Sequence, residues 1–224
     1  MTTLLHIDAS ARKTRSISRG LSRLFVETWL TYRPGDRVIR RDLADNAPPH
    51  VTETWIAACF TPEDQRDAQG RAALAWSDQA IAELEAAEII VIGTPMYNYG
   101  MPSALKAWID QVVRIGRTFS FDLARGDWPI EPILSGKQLV VLSSRGEFGF
   151  APEGIRHHMN QLDPHLVTCA RYLGVADNAV HIVSAEYQEF GGERHSRSVA
   201  AAEQAAIALA AKITASIEPL AAAS

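Results

Sequence analysis

Short apolar runs alternate with amphipathic stretches along the whole chain. The apolar runs predict five strands, at residues 4–8, 37–42, 89–93, 137–143 and 179–184. The third run, Ile-Ile-Val-Ile-Gly, is continuous and rich in β-branched residues, as expected for a strand that is buried on both faces of a parallel sheet. Apolar residues at helical spacing predict five helices, at about 18–32, 77–87, 103–116, 152–173 and 197–217.

This alternation of strands and helices predicts an α/β fold, in which a doubly wound parallel sheet of five strands carries helices on both faces. Residues 43–75 show little pattern, and we expect irregular structure with helical pieces there. No repeat, low-complexity linker or change of composition divides the chain. We therefore predict a single domain over residues 1–224.

Composition narrows the class of protein. Of the 224 residues, 47% are hydrophobic and 21% are charged, which is typical of a soluble globular protein. The formal net charge of -4 gives no support to nucleic-acid binding. No stretch reaches the roughly 18 apolar residues of a membrane helix, and residues 1–8 are typical of a strand rather than a signal peptide. We predict a cytoplasmic protein without a membrane or nucleic-acid partner.

The cysteines and histidines do not follow a metal-site pattern. Cys59 and Cys169 are too few for a disulfide scaffold and lack metal-ligand spacing, so we expect buried free thiols. His157 and His158 are adjacent in a predicted helix and cannot share one of its faces. The sequence therefore predicts no bound metal.

The loop after the first strand has the residues of an anion site. Ligands of doubly wound sheets bind beyond the carboxyl ends of the strands, and this loop brings Ser10, Ser16 and Ser18 to that edge as it opens a helix. Hydroxyls and a helix N-terminus suit a phosphate group, and Arg12, Lys13 and Arg15 would add a favourable field. An ordinary helix cap is the alternative, since neither the P-loop nor the dinucleotide glycine pattern is present.

The loops after the third and fourth strands hold the other unusual residues. Residues 94–102 (TPMYNYGMP) combine aromatic rings, an amide and two prolines, which suit a planar ring with polar groups on its edge. A turn with packed aromatic side chains is the simpler alternative. In residues 143–150, Gly146 would let the backbone approach a ligand closely, whereas Arg145 has a surface ion pair as its alternative role.

Together, the three loops resemble those of the FMN-dependent NADH-azoreductases, a family of flavodoxin-like quinone reductases. The similarity is most specific in three segments, PMYNY at 95–99, PSALKAWID at 102–110 and GRTF at 116–119. It covers most of the chain in the order of its elements. The resemblance implies a flavodoxin-like sheet with strand order 2-1-3-4-5, one FMN-binding domain, non-covalently bound FMN and a homodimer.

The resemblance also assigns the cofactor site residue by residue. The phosphate end of FMN would be held by Ser10, Ser16, Ile17 and Ser18. The isoalloxazine ring would be lined by Met96, Tyr97, Asn98 and Tyr99. The pyrimidine edge of the ring would meet Ser144, Arg145, Gly146 and Glu147. The wall of the acceptor pocket is expected to include Phe119 and Phe121, with packing as their alternative role.

One residue departs from the family pattern. Members often carry Gly-Gly after the arginine, whereas this chain has Gly146-Glu147. A carboxylate near the ring would disfavour an anionic reduced flavin through like charge. We therefore expect Glu147 either to point away from the ring or to tune the choice of acceptor.

The function implied by the resemblance is that of an FMN-dependent oxidoreductase. It would take hydride from NADH or NADPH and reduce quinones and azo compounds by two-electron ping-pong transfer. The flavin supplies the redox chemistry, so no side chain is assigned as catalytic, although Tyr97, Asn98 and Arg145 are expected nearest to the reacting atoms. The alternatives are a non-enzymatic flavodoxin-like electron carrier and a flavin-free regulator on the same fold. A serine hydrolase is disfavoured because no Gly-x-Ser-x-Gly elbow occurs.

Overall fold

The computed structural model describes residues 1–217, so the end of the predicted domain, residues 218–224, lies outside the described residues. The strands of the described part are β1 (Thr3–Asp8), β2 (Arg37–Asp42), β3 (Ile89–Pro95), β4 (Phe119–Phe121), β5 (Ile130–Pro132), β6 (Lys137–Ser144) and β7 (Val175–Ala185). Its α-helices are α1 (Ile17–Tyr32), α2 (Glu53–Phe60), α3 (Ala68–Ala86), α4 (Ser103–Val112), α5 (Asp163–Ala170) and α6 (Gly192–Ser216).

Five of the strands form one parallel sheet in the order β2-β1-β3-β6-β7. The strands β4 and β5 form a separate antiparallel hairpin. Counted along the chain without that hairpin, the order in the sheet is 2-1-3-4-5, which confirms the predicted flavodoxin-like topology. The winding reverses between β1 and β3, so the loops after β1, β3 and β6 meet at one edge of the sheet.

Both faces of the sheet are covered, and every residue of β3 is buried. On one face, α1 and α6 pack Phe25, Trp29 and Ala206 into one core cluster. On the other face, α3, α4 and α5 contribute to a second cluster, with Trp108 and Leu166 fully buried. Each such large apolar side chain contributes roughly 1.5–3 kcal/mol of hydrophobic stabilisation. The two clusters hold the strand ends rigidly in place.

The predicted helix at 152–173 is wrong in its first half. Only α5 is α-helical there, flanked by short 3-10 turns at 157–159 and 171–173. Gly154 packs so closely on the carbonyl of Gly149 that a Cβ would lie 2.2 Å from that oxygen. The side chain of Asn160 accepts hydrogen bonds from the N–H groups of Leu162 and Asp163, and so starts α5 anew. The close packing of Gly154 on Gly149 and the side-chain cap at Asn160 therefore override the helical spacing.

Residues 43–75 contain helical pieces, as predicted, in α2 and the first turns of α3. The helix α3 begins at residue 68 rather than 77, because the carboxylate of Asp67 accepts a hydrogen bond from the N–H of Gly70 at 2.7 Å. No helix within residues 1–217 is both long and apolar enough to span a bilayer. Within the same residues, no three His, Cys, Asp or Glu side chains cluster as metal ligands would.

Candidate functional site

A cavity of about 570 Å³ lies at the carboxyl edge of the sheet. The loop after β1 and the start of α1 contribute Ser10, Arg12, Arg15, Ser16 and Ile17. The ends of β3 and β6 and the following loops contribute Pro95, Met96, Tyr97, Ser144 and Gly146. The loop after β7 and the start of α6 contribute Gln188, Glu189 and His195. Two further clefts of about 430 Å³ lie beside α2, away from this edge.

The corner between β1 and α1 offers hydroxyls and backbone donors to the cavity. Ser16 caps α1 by accepting the N–H of Arg19, and its hydroxyl lies 3.4 Å from that of Ser18. Arg15 adopts a left-handed φ of 59°, which turns the chain into the helix. The first N–H groups of a helix have no partner within it. The corner therefore attracts an anion through donors and through the helix dipole.

Arg19 ties this corner to the sheet. Its guanidinium donates two hydrogen bonds of 2.7 Å to the carboxylate of Asp42 and a third of 2.7 Å to the carbonyl of Ser10. The hydrogen bonds from Arg19 hold the pKa of Asp42 well below its usual range. Sequence analysis missed this clamp. Its signal was a basic residue three positions after a helix cap, paired with an acid at the end of the neighbouring strand.

A tight turn follows β3. Tyr97 and Gly100 exchange two backbone hydrogen bonds, of 3.1 and 3.0 Å, around Asn98 and Tyr99. Both central residues have positive φ, 47° and 66°, as in a type I′ turn. Asparagine tolerates this conformation well, whereas tyrosine is strained in it. The turn leaves Tyr97 on the cavity wall and takes Asn98 and Tyr99 off it.

Met96 completes this side of the cavity. Its N–H donates to the carbonyl of Ser144 at 2.8 Å, which joins the loop after β3 to the end of β6. Its side chain packs partly against the core cluster of α3, α4 and α5. The apolar part of the wall is therefore anchored in the core.

The loops after β6 and β7 pair with each other at the rim of the cavity. The N–H groups of residues 187–189 donate to the carbonyls of residues 145–147 at 2.9–3.2 Å. The carboxylate of Glu189 lies against Gly146, where an added Cβ would be 2.5 Å from Oε1. A glycine at 146 therefore permits the close approach of the two loops as well as of a ligand.

Arg145 does not line the cavity, contrary to the expectation that it lies near the reacting atoms. It is 2% exposed, and its Nη2 donates to the carboxylate of Asp163 at 2.6 Å. The carboxylate of Glu186 lies 3.6 Å from Nη1. Its ion pair is thus internal rather than on the surface, and it holds the start of α5 against the end of β7.

Glu147 also turns away from the cavity, which agrees with the first of its two expected roles. The hydroxyl of Tyr99 donates to its carboxylate at 3.0 Å, and Arg156 pairs with it at 2.8 Å. The hydrogen bond to Glu147 raises the pKa of Tyr99. The extra carboxylate therefore links two loops and does not face the cavity wall.

Three aromatic side chains that sequence analysis did not connect form a cluster next to the rim. Phe148 stacks on Tyr187 with ring centroids 4.5 Å apart and 10° between the planes. Phe190 meets both rings edge-on, and the guanidinium of Arg156 lies over Phe148. Tyr187 has a left-handed φ of 67°, so the cluster holds a strained backbone. We call these residues, Phe148, Tyr187 and Phe190, the rim cluster.

Several predicted residues lie off the cavity wall. Ser18 is fully buried beneath Ser16 and supports it from within the helix. Phe119 meets the ring of Tyr172 edge-on at 5.9 Å, and Phe121 is half-exposed on the β4–β5 hairpin. Neither phenylalanine borders the cavity.

Sequence analysis missed the contribution of the loop after β7, namely Gln188 and Glu189, and of His195 at the start of α6. This loop follows the fifth strand of a parallel sheet, so its position at the same edge was the available signal.

Comparison with known proteins agrees with this fold. Residues 2–209 match a family described as having a flavodoxin-like fold. FMN-dependent NADH:quinone oxidoreductase 2 of Colwellia psychrerythraea is 52% identical over 206 residues, which cover 89% of this chain and 93% of the relative. FMN-dependent NAD(P)H:quinone oxidoreductase 1 of Pseudomonas aeruginosa is 43% identical over 211 residues, which cover 94% of this chain and 99% of the relative.

A solved structure shares the fold. The crystal structure of an FMN-dependent NADH-azoreductase from Bacillus anthracis in complex with FMN has a TM-score of 0.83 to this chain at 18% identity. The superposition covers 96% of this chain and all of the other. A likeness at this low identity supports the architecture of the sheet and its flanking helices.

Proposed function

The chain belongs to the family of flavodoxin-like fold proteins, and on that basis we propose that it is an FMN-dependent oxidoreductase that uses NADH or NADPH to reduce quinones and azo compounds. The observation that carries the proposal is the convergence of the three sequence-identified loops on one cavity. Relatives at 52% and 43% identity are named as quinone oxidoreductases. Their names favour an enzyme over the electron carrier and over the flavin-free regulator.

The residues around the cavity fit FMN. At one end, Ser10, Ser16 and the N-terminus of α1 at Ile17 provide the hydroxyls and donors that a phosphate needs. Further along, Met96 and Tyr97 form an apolar and aromatic wall that suits a planar ring. The volume of about 570 Å³ is typical of small-molecule sites.

FMN, when bound, would supply the chemistry of accepting hydride and passing on electrons. The protein binds the cofactor and orients it. Ser144 and Gly146 line the cavity, while the ion pairs of Arg145 with Asp163 and of Glu147 with Arg156 hold the loop that carries them. Three residues expected at the cofactor do not line the cavity and instead support the residues that do, namely Ser18, Asn98 and Tyr99.

A shared cavity predicts that donor and acceptor bind in turn. Steady-state rates with NADH and a soluble benzoquinone, measured at several fixed concentrations of each, should give parallel double-reciprocal lines. Intersecting lines would contradict alternate use of the cavity. Absence of turnover with both NADH and NADPH, in protein saturated with FMN, would favour the electron carrier.

We further propose a homodimeric, cytoplasmic enzyme with one FMN-binding domain. Large apolar side chains on the β4–β5 hairpin and the segment after it are exposed, including Leu123, Trp128 and Ile133, and such a patch is typical of a protein interface. The described cysteines are free thiols, which suits a reducing compartment. Burial raises the pKa of Cys59 to about 11, so this thiol stays protonated and inert. Light scattering of the purified protein would measure the mass expected of a dimer.

A further inference from the structure

Glu186 is the first residue after β7, and it does not border the cavity. Its carboxylate accepts two backbone hydrogen bonds from the loop after β6, from the N–H of Gly149 at 2.9 Å and from the N–H of Phe150 at 3.3 Å. Its own backbone N–H donates to Oγ of Ser198 on α6 at 2.8 Å. Glu186 therefore joins the loop after β6 to the end of β7 and to α6.

The backbone at Gly149 is shaped to present both N–H groups to one acceptor. Gly149 has a left-handed φ of 80°, and successive N–H groups beside such a residue converge into a concave anion site. The side chain of Glu186 is 19% exposed, so a charged acceptor there makes strong hydrogen bonds. A glutamine of the same shape has only one amide oxygen, and its NH2 group would face one of the two donors. The site therefore requires a carboxylate.

A buried guanidinium lies against this carboxylate. Nη1 of Arg145 is 3.6 Å from Oε1 of Glu186, while Nη2 of Arg145 donates to Asp163 at 2.6 Å. Asp163 balances the charge of Arg145, so an amide at position 186 leaves no buried cation without a partner. The hold of Glu186 on the loop can thus be removed without breaking the pair of Arg145 with Asp163.

The part of the loop that depends on Glu186 is its far end. The near end, residues 145–147, is already paired with residues 187–189 through backbone hydrogen bonds. Phe148 of the rim cluster lies between these paired residues and the two donors to Glu186. The phosphate corner lies on β1 and α1 and is fixed by Arg19 instead. Loosening the contacts of Glu186 should therefore disturb the rim and leave the corner unchanged.

We propose that Glu186 is a positioning residue for the electron acceptor: its carboxylate holds the loop after β6 in the conformation that lets a quinone enter past the rim cluster. The inference rests on the proposed function. Glu186 acts through the backbone of Gly149 and Phe150, since it lies off the cavity wall. Its effect is therefore on the binding of the acceptor rather than on the chemical step.

Steady-state kinetics of the full-length protein saturated with FMN test this inference, with NADH and a soluble benzoquinone as substrates. The variants are Glu186→Gln, Glu186→Asp and a control, Glu203→Gln, which changes an exposed glutamate on α6. Glu186→Gln should raise the Michaelis constant for the quinone about tenfold, as loss of one hydrogen bond to a charged group does, with kcat within about twofold of the wild type. Glu186→Asp keeps the charge on a shorter side chain and should show a smaller rise. The control should match the wild type.

Two further measurements do not depend on turnover. Flavin fluorescence quenching should give the same FMN affinity for the wild type and every variant. Hydrogen–deuterium exchange of the amides of Gly149 and Phe150 should be faster in Glu186→Gln, whereas the buried amides of β3 should exchange as in the wild type.

Three results would overturn the inference: an unchanged Michaelis constant for the quinone in Glu186→Gln, a loss of FMN affinity as large as the rise in that constant, or faster exchange throughout β3. The last would show that the carboxylate stabilises the whole fold rather than the loop. If the wild type turns over NADH and quinone, each of these results leaves the proposed function standing. A wild type that turns over neither NADH nor NADPH when saturated with FMN would overturn the proposed function together with the inference.

Discussion

The corner after β1 and the rim formed by the loops after β6 and β7 are built in different ways. The corner is fixed to the regular elements of the fold. The helix cap joins it to α1, and the Arg19–Asp42 clamp joins it to β2. The rim is formed by two loops that lie nearly forty residues apart in the chain and are joined by backbone hydrogen bonds and by the stack of Phe148 on Tyr187. We therefore expect the corner to bind the phosphate of FMN, which is the same in every turnover, and the rim to determine which acceptor enters.

The largest expected effect tests the rigid side of this comparison. Arg19→Ala leaves the carboxylates of Asp42 and Asp8 without their shared cation. Breaking a partly buried pair of this kind should lower the free energy of unfolding by about 2–3 kcal/mol, and it should weaken FMN binding. Urea unfolding measures the first quantity and flavin titration the second.

Lys13→Ala provides the control for Arg19→Ala, because Lys13 pairs with the same Asp42 from an exposed position. It should leave both quantities close to those of the wild type. Equal losses in the two variants would contradict the special role of the Arg19 clamp.

The clamp also predicts how stability changes with pH. The pKa of Asp42 in the folded state is lowered by Arg19, whereas an unfolded aspartate titrates near about 3.9. Its stabilising contribution is therefore complete above that pH and is lost as the pH falls towards the folded pKa. Unfolding free energies between pH 6 and pH 3 should fall less steeply in Arg19→Ala than in the wild type. Parallel curves would show that the pair carries no pH dependence.

The next effect tests the packing beneath the corner. A Cβ at Gly93 would lie 2.6 Å from Oγ of Ser22 and 2.7 Å from Oδ1 of Asp8. Gly93→Ala should therefore cost about 1–3 kcal/mol through overpacking. Gly20→Ala, at a helical position of α1 with open space around it, should instead stabilise by about 0.5–1 kcal/mol. Thermal unfolding should move in opposite directions for the two variants, and a shared direction would contradict the packing argument.

A smaller effect is expected at the rim cluster. Phe148→Ala removes the stack on Tyr187 and should lower the free energy of unfolding by about 1 kcal/mol. The Michaelis constant for quinones should change more than the affinity for FMN, because the cluster lies beside the rim rather than at the corner. Phe60→Ala, at an exposed position on α2, is the control. A loss of FMN binding as large as that in Arg19→Ala would remove the distinction between the two regions.

The smallest effect concerns the link between two loops. Tyr99→Phe removes the hydroxyl that donates to Glu147, and both groups are accessible to solvent. The thermal midpoint should stay unchanged, while limited proteolysis should cut the segment after β6 faster than in the wild type. Unchanged cleavage would show that the hydrogen bond does not restrain the loop.

Sequence reasoning succeeded where contacts are local. The alternation of strands and helices, and the hydroxyls at Ser10 and Ser16 beside a helix N-terminus, follow from periodicity, capping and the strand-end rule, whereas the order of the strands was implied by the family resemblance. It failed where the outcome depends on partners far along the chain. Arg145 finds Asp163 and Glu186 instead of the cavity, and neither carboxylate carries a local signal.

The helix predicted at 152–173 failed for a different reason, because the contacts that interrupt it are local. Its spacing is compatible with a helix, but Gly154 packs on Gly149 and Asn160 starts a new helix. His195 was overlooked because a single histidine just before a predicted helix has no pattern. Only the fold places it at the cavity.

The central claim is that the cavity holds FMN that exchanges electrons with a nicotinamide nucleotide and a quinone. Its most direct test is the absorption spectrum of the purified protein with FMN, recorded without oxygen before and after addition of NADH, and then of a quinone. The account predicts a bound-flavin spectrum that bleaches with NADH and recovers with the quinone. Absence of flavin uptake, or a bound flavin that neither NADH nor NADPH bleaches, would contradict it.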